Sequence, residues 1–235
     1  MTDHTYGYWR TDKEKEPGYS HELISCDSKF LIEKGSNIDH LYAPPFEGVE
    51  TLYHGLQRNL KRIPNHDLIG TRVGAKYEWL TVRDFADLSE NLSYGIMDLN
   101  LAPAVEAEGK ADWRFIGIQA KNRKEWMITN MANAHQRITT VAMYDTLGPD
   151  AFKFVLNQTE LVTMAISQDF IGKLAKMKIE DKDAETPMCF RLANLIVFEN
   201  DIKQEDRDLA AQAEITLYTL EEVIMKGRAA HKAGT

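Results

Sequence analysis

Cysteine is nearly absent from this chain: Cys26 and Cys189 are the two in 235 residues, far apart and in unlike surroundings. That excludes a disulfide framework and a thiolate metal centre, and it fits a reducing compartment. An excess of positive charge is also missing, with 28 Lys and Arg against 36 Asp and Glu and a formal charge of −8. The two signs are interleaved, so the basic face of a general nucleic-acid binder is not expected, although a small local basic patch is not excluded. No apolar run approaches the roughly 20 residues needed to span a bilayer. The opening segment MTDHTYGYWRTDKEKEPGYS lacks the apolar core of a signal peptide, and its acidic residues are unlike a transit peptide. A soluble or peripheral chain is the expectation.

Several chemical signatures are absent as well. The sequence has no GxxxxGK[ST] loop, and no Ser/Thr/Gly-rich stretch offers the run of backbone N–H groups that cradles a triphosphate. No GxGxxG follows the first long strand, where Gly117 lies inside the strand and Gln119-Ala-Lys-Asn-Arg-Lys comes next. No GxSxG elbow suggests a serine hydrolase. The seven histidines are scattered, none in HxxxH or beside a cysteine at ligand spacing, so no metal site is expected. His135, late in a helix, is expected to cap or pack. The acidic run Glu180-Asp181-Lys182-Asp183 reads as a solvated loop in preference to a cation site.

What is present is an alternation of strand and helix. Residues 1–60 are rich in Pro, Gly, Asp and aromatics with little periodicity and read as an extended arm, with one short helix between Gly48 and Leu60. Residues 61–235 read as an α/β subdomain. A short strand ends at Tyr77-Glu-Trp-Leu-Thr81, and Thr81 stands where a helix N-cap is wanted. Val82, Phe85, Leu88, Leu92, Ile96 and Leu99 then recur at spacings of three and four, one apolar stripe of a helix.

After a linker from Ala102 to Ala111, Phe115–Ile118 is a strand. Lys124–Arg137 is a helix expected to turn Met127, Met131, Ala134 and Ile138 inward. Strands follow at Thr139–Tyr144, Leu161–Ile166, Leu195–Phe198 and Ile215–Tyr218. Pro149 and Asp150 suit the first turn of a helix that runs to Thr159. Another spans about Asp169–Lys178, with Phe170, Leu174 and Met177 inward. Thr219-Leu-Glu-Glu222 is a capping-box sequence that opens a last helix. This order implies an α/β fold with a mainly parallel sheet and helices on both faces, preceded by the irregular arm. The last three strands are apolar enough to be expected buried on both sides.

Residues 118–167 read IQAKNRKEWMITNMANAHQRITTVAMYDTLGPDAFKFVLNQTELVTMAIS. This stretch resembles long-chain acyl-CoA synthetases, where an NRxEW helix start leads into a YDTLG turn. Upstream, Gly70-Thr-Arg72 followed by Tyr77-Glu-Trp-Leu-Thr81 is similar to the same family's GTR…YEW…T segment. Taken in order, the match covers about residues 40–228 and resembles the amino-terminal portion of a long-chain fatty acid:CoA ligase of the adenylate-forming, AMP-binding superfamily. Two positions depart from the family pattern: Lys124 stands where NRPEW has proline, and Ala142 stands where a proline commonly precedes the turn tyrosine. Both changes lie in or beside turns and are compatible with the fold.

The resemblance implies ATP, Mg and CoA for the intact family, bound by a phosphate loop, an adenine segment and a mobile lid that come later than the matched region. No cofactor or metal is therefore expected in this chain, and no residue is expected to be catalytic. The family-motif residues are expected to be structural: Asn122 as a helix cap, Arg123 beside it, Glu125 in the first turn, Trp126 in packing. Tyr144, Asp145, Thr146 and Gly148 form the next turn, with Asp145 or Thr146 fixing it through side-chain bonds.

The main expectation is a catalytically incomplete module acting as a structural or accessory subunit of a larger assembly. The alternatives are an amino-terminal piece of a functional ligase whose catalytic remainder is on another chain, and a binder of acyl chains or acyl-CoA. Other protein chains are the expected partners, through an apolar interface above roughly 2,000 Å². The arm, with Tyr6, Tyr8, Trp9, Tyr19 and Phe30, is the candidate for a second contact surface. An intracellular location is implied, cytoplasmic or held at mitochondrial or endoplasmic reticulum membranes through partners.

Overall fold

The computed structural model describes residues 7–9, 11, 14–25, 48–107, 109–144, 146–182, 187, 189 and 191–233. The chain falls into two compact units, Met1–Gly48 and Val49–Thr235. In the first, β1 (Gly7–Trp9) and β2 (Leu23–Ser25) pair antiparallel, Tyr8 opposite Ile24. Trp9 and Tyr19 are exposed, whereas Tyr6 and Phe30 of the expected contact surface lie outside the described residues.

The second unit opens with α1 (Leu52–Arg62), capped by Thr51, whose hydroxyl accepts from the His54 amide at 3.1 Å. An antiparallel hairpin follows, β3 (Asp67–Val73) with β4 (Lys76–Thr81). Thr81 then caps α2 (Val82–Asp98) in a reciprocal box with Asp84, as its position suggested. The Thr81 hydroxyl and amide hold the Asp84 carboxyl below the usual range. A small ribbon of β5 (Val105–Ala107) and β6 (Lys110–Trp113) leads into the sheet.

That sheet has five strands, all parallel: β7 (Phe115–Gln119), β8 (Thr139–Ala142), β9 (Thr163–Ile166), β10 (Asn194–Val197) and β11 (Thr216–Thr219). Their order across the sheet is β11-β10-β9-β7-β8. The chain moves outward from β7 to β8, returns past β7, and then builds the other half, so the direction of winding reverses between β7 and β9. The connecting helices are α3 (Lys124–His135), α4 (Pro149–Gln158), α5 (Ile171–Lys182) and α6 (Gln204–Gln212), and α7 (Leu220–Ala233) follows the last strand.

Successive side chains of a strand point to opposite faces, and the two apolar clusters follow that rule. Ile116, Ile118, Ala165 and Ile196 join Phe85, Leu92, Ile96, Ile128 and Val223 of α2, α3 and α7. Met164, Ile166, Leu195 and Val197 join Phe152, Leu156, Leu174 and Ala210 of α4, α5 and α6. The α2 stripe is thus turned to a core, and α2 packs chiefly on α7 and α3.

Two expectations are corrected. The fifth strand is not buried on both sides: β11 is an edge strand with Thr216 exposed and Leu217 and Tyr218 half-buried. In α3 the fully buried face is Ile128, Thr129, Ala132 and Asn133, and Met127 is exposed, while Ile138 is buried and Met131 packs on the first cluster as expected. The reason is polar: Thr129 donates its hydroxyl to the Glu125 carbonyl at 2.8 Å, and Asn133 donates to the Thr140 hydroxyl at 2.9 Å, so hydrophilic residues occupy the buried side. His135 packs, as expected, edge-on against Tyr53 with centroids 5.0 Å apart, and burial holds its imidazole below the ordinary value.

The α2–α7 contact depends on glycine. A β-carbon on Gly227 would lie 1.8 Å from the Asn91 carbonyl oxygen, and one on Gly95 would lie 2.0 Å from that of Val223. Both obstacles are backbone, which cannot swing aside. By helix propensity alone Gly227→Ala would gain about 1 kcal/mol; here the clash wins. The substitution is expected to lower unfolding free energy by about 1–3 kcal/mol or more, read by urea denaturation.

Candidate functional site

Parallel strands bring all their carboxyl ends to one edge, where ligands bind in open α/β sheets, and most of all where the winding reverses. The two motif turns both lie there. Asn122 and Arg123 join β7 to α3, and Tyr144, Thr146 and Gly148 join β8 to α4. Asp145 lies outside the described residues.

In the first turn the N-cap of α3 is Arg123, not Asn122, and its side chain makes no capping bond. That side chain reaches across the sheet. Its Nε donates to Glu125 at 2.7 Å, and its Nη1 donates to Glu199 and, at 3.2 Å, to the Ser167 hydroxyl. The guanidinium carbon lies 5.2 Å from the centre of the Phe198 ring. Glu199 in turn accepts from the Gln168 amide at 2.8 Å. Arg123 follows β7, Ser167 follows β9, and Phe198 and Glu199 follow β10, so one cation ties three strand ends together. Burial opposes its charge, but the carboxylates of Glu125 and Glu199 outweigh that and raise its pKa. Glu125 also sits in the first turn of α3, where the helix dipole favours an anion.

The second turn is closed by its backbone, the Leu147 amide donating to the Tyr144 carbonyl at 3.1 Å. Gly148 is the N-cap of α4 with Pro149 in the first turn and Asp150 beside it, as the sequence indicated. Between the two turns lies a cleft of about 500 Å³, with Ile118, Trp126 and Met143 as apolar wall and Asn122, Tyr144 and Thr146 as polar groups. Trp126 also packs on the first core cluster. An amide, a phenol and a hydroxyl over an apolar floor are suited to orienting a ligand or a neighbouring chain by hydrogen bonds.

Reading the sequence missed Ser167, Phe198 and Glu199. A signal for them existed: each stands just past an apolar strand, at the edge where the motif turns had already been placed. Gln119 was also passed over. It ends β7 fully buried, and neither atom of its amide has a hydrogen-bond partner. Such groups carry a desolvation cost of about 1–3 kcal/mol.

Comparison with known proteins gives the fold first. A solved adenylation domain of a carboxylate reductase from Mycobacterium chelonae shares the fold, with a TM-score of 0.63 at 14% identity over 77% of this chain and 30% of that one. The corresponding domain from Segniliparus rugosus, in complex with AMP and a carboxylic acid, gives 0.59 at 17% identity over 86% and 32%. No family model matches.

The curated relatives are narrower in kind. Fatty acyl-CoA synthetase B of Dictyostelium discoideum is 26% identical over 189 residues, 78% of this chain and 25% of the relative. Human long-chain-fatty-acid–CoA ligase 6 is 28% identical over 160 residues, 68% and 22%. Human long-chain-fatty-acid–CoA ligase 1 is 31% identical over 138 residues, 58% and 19%. The relatives matched in sequence thus carry the names of fatty acyl-CoA synthetases and long-chain-fatty-acid–CoA ligases, and the solved structures that share the fold are adenylation domains. The chain spans about a fifth to a quarter of the length of these curated relatives.

Two outcomes test the site. Arg123→Met and Glu199→Gln are each expected to cost about 1–3 kcal/mol, below the figure for a fully buried pair because both side chains are 27% exposed. Combined, they should cost less than their sum, with a coupling of about 0.5–3 kcal/mol in a double-mutant cycle. Gln119→Met should raise stability by about 1 kcal/mol or more by removing the unpaired amide. A loss of stability at that position would show that the amide has a partner in solution.

Proposed function

We propose that this chain supplies the amino-terminal α/β subdomain of a long-chain fatty acid:CoA ligase, which joins ATP-dependent acyl adenylation to thioester formation. The observation that carries the proposal is the similarity to ligases and synthetases over 138 to 189 residues, 58% to 78% of this chain. The adenylation-domain fold supports it independently of sequence.

Within that reading the residues present position and do not react. Arg123 is committed to Glu125 and Glu199, and no run of the sequence forms a cradle for phosphates. ATP, Mg and CoA would be held by polypeptide outside these 235 residues, so no step of adenylation is assigned to this chain. The accessory-subunit reading, placed first on sequence alone, gains nothing from relatives whose names are those of ligases and synthetases. The ligase piece takes its place.

A chimera separates the two. This chain's sequence would replace the matched stretch of human long-chain-fatty-acid–CoA ligase 1, and pyrophosphate release dependent on fatty acid would be followed. The expected result is an active chimera, with the 235-residue chain alone releasing no pyrophosphate above a protein-free control. A chimera that folds, shown by a cooperative thermal transition, yet has no activity would refute the proposal.

A further inference from the structure

Four large apolar side chains left in solvent belong to one hairpin: Leu68, Val73, Tyr77 and Trp79 of β3 and β4. The strands pair with Gly70 opposite Trp79 and Arg72 opposite Tyr77. Cross-strand partners share a face, so Arg72, Tyr77 and Trp79 lie on one side and Ile69 and Leu80 on the other, while Leu68 is the extra residue at a register shift between Asp67 and Ile69. Ile69 and Leu80 pack on the first core cluster and fix the base of the hairpin. Beyond them, every residue from Arg72 to Trp79 is exposed.

The Trp79 ring lies over its cross-strand glycine. A β-carbon on Gly70 would lie 2.9 Å from carbons of the Trp79 ring, so the glycine provides a shelf for one face of the indole. The ring as a whole stays 51% exposed, and Tyr77 lies beside it with centroids 5.9 Å apart. At the tip the apolar groups occupy both sides, Tyr77 and Trp79 on one and Val73 on the other. Arg72 and Lys76 stand among them, one on each side. The Arg72 Nε donates to the Gly74 carbonyl at 3.1 Å, which keeps the guanidinium at the tip. Glu78 is the one acid in this half of the hairpin, on the side of Val73.

A protein partner would cover one face of such a ribbon. Apolar groups on both faces, with cations beside them, suit a medium that surrounds the tip. Trp and Tyr rings, apolar in body and polar at one end, settle at the headgroup level of a bilayer. Lys and Arg beside them are drawn to anionic lipids. We propose that the β3–β4 hairpin docks this chain on an anionic lipid surface, with Val73, Tyr77 and Trp79 entering the headgroup region and Arg72 and Lys76 against its phosphates. The formal charge of −8 opposes approach to that surface, which makes the two tip cations necessary. The inference rests on the hairpin and not on the ligase reading.

Sedimentation of the full chain with phosphatidylcholine vesicles, with and without phosphatidylserine, tests it. The chain should pellet with the anionic vesicles and release as salt is raised. Arg72→Gln with Lys76→Gln, at exposed positions that spare the fold, should weaken binding by roughly twenty-five-fold, about fivefold for each cation. Tyr77→Ser with Trp79→Ser should abolish it. Failure of the unaltered chain to pellet with either vesicle, or equal binding by both double variants, would overturn the proposal. So would concentration-dependent self-association in place of vesicle binding, lost with Tyr77 and Trp79, because it would assign the patch to a protein interface.

Discussion

Burial of β9 and β10 on both faces is the constraint from which the other elements take their places. All four residues of β9 and three of the four in β10 are buried, so neither side of the sheet can be left to water. A parallel pair cannot close with a tight turn and needs a crossover of a dozen or more residues. Those crossovers supply most of the covering layers: α4, α5 and α6 lie over Met164, Ile166, Leu195 and Val197, while the crossover α3 is joined over Ala165 and Ile196 by α2, which precedes the sheet, and α7, which follows it. The second layer is two helices deep, because α2 lies on α3 and α7. That depth requires the backbones of α2 and α7 to approach closely, and Gly95 and Gly227 permit it.

Parallel pairing has a second effect, at the carboxyl edge. Strand ends there have no hairpins to bind them to one another, and the loops that follow run directly into helices. Arg123 supplies the missing tie. Its partners come from the loops after β9 and β10, and Glu199 passes the tie on to the Gln168 backbone. The counterpart between α4 and α5 is Asp181, which belongs to the last turn of α5 and not to a solvated loop as expected: it is buried, accepts from the Cys189 amide at 2.7 Å and pairs with Lys153 at 3.1 Å. Burial, with Asp181 close by, pushes the Cys189 thiol up to about 12, so this cysteine acts as a small apolar residue in a loop clamp.

How much of this was legible follows from the kind of signal each feature leaves. The α2 stripe and both capping boxes were readable because one interaction, apolar burial or a local hydrogen bond, sets each of them within a few residues. The Thr219–Glu222 box forms with both arms, at 2.7 and 3.1 Å. The inward face of α3 was not readable, since Thr129 and Asn133 satisfy their polar groups within the fold and look solvent-facing in a linear pattern. Strand order was equally hidden, because β11 differs from β9 in neighbours and barely in composition. The clamp was half visible. Arg123 stood in a motif, but Ser167 and Glu199 lie 44 and 76 residues further on and meet it through topology alone.

The meeting of the two motif turns needs no special explanation, since turns after adjacent parallel strands always share an edge. What the sequence does choose is the chemistry placed there, and the two turns have been given different tasks. Arg123 and Glu125 spend their charge within the fold, on three strand ends and a helix start. Trp126 divides itself, packing on the core while its remaining surface lines the cleft. Tyr144 stays 67% exposed and, with Asn122 and Thr146, lines the cleft with polar groups. The first turn therefore locks the sheet through Arg123 and gives Asn122 and Trp126 to the cleft, and the second, set against that fixed wall, adds Tyr144 and Thr146.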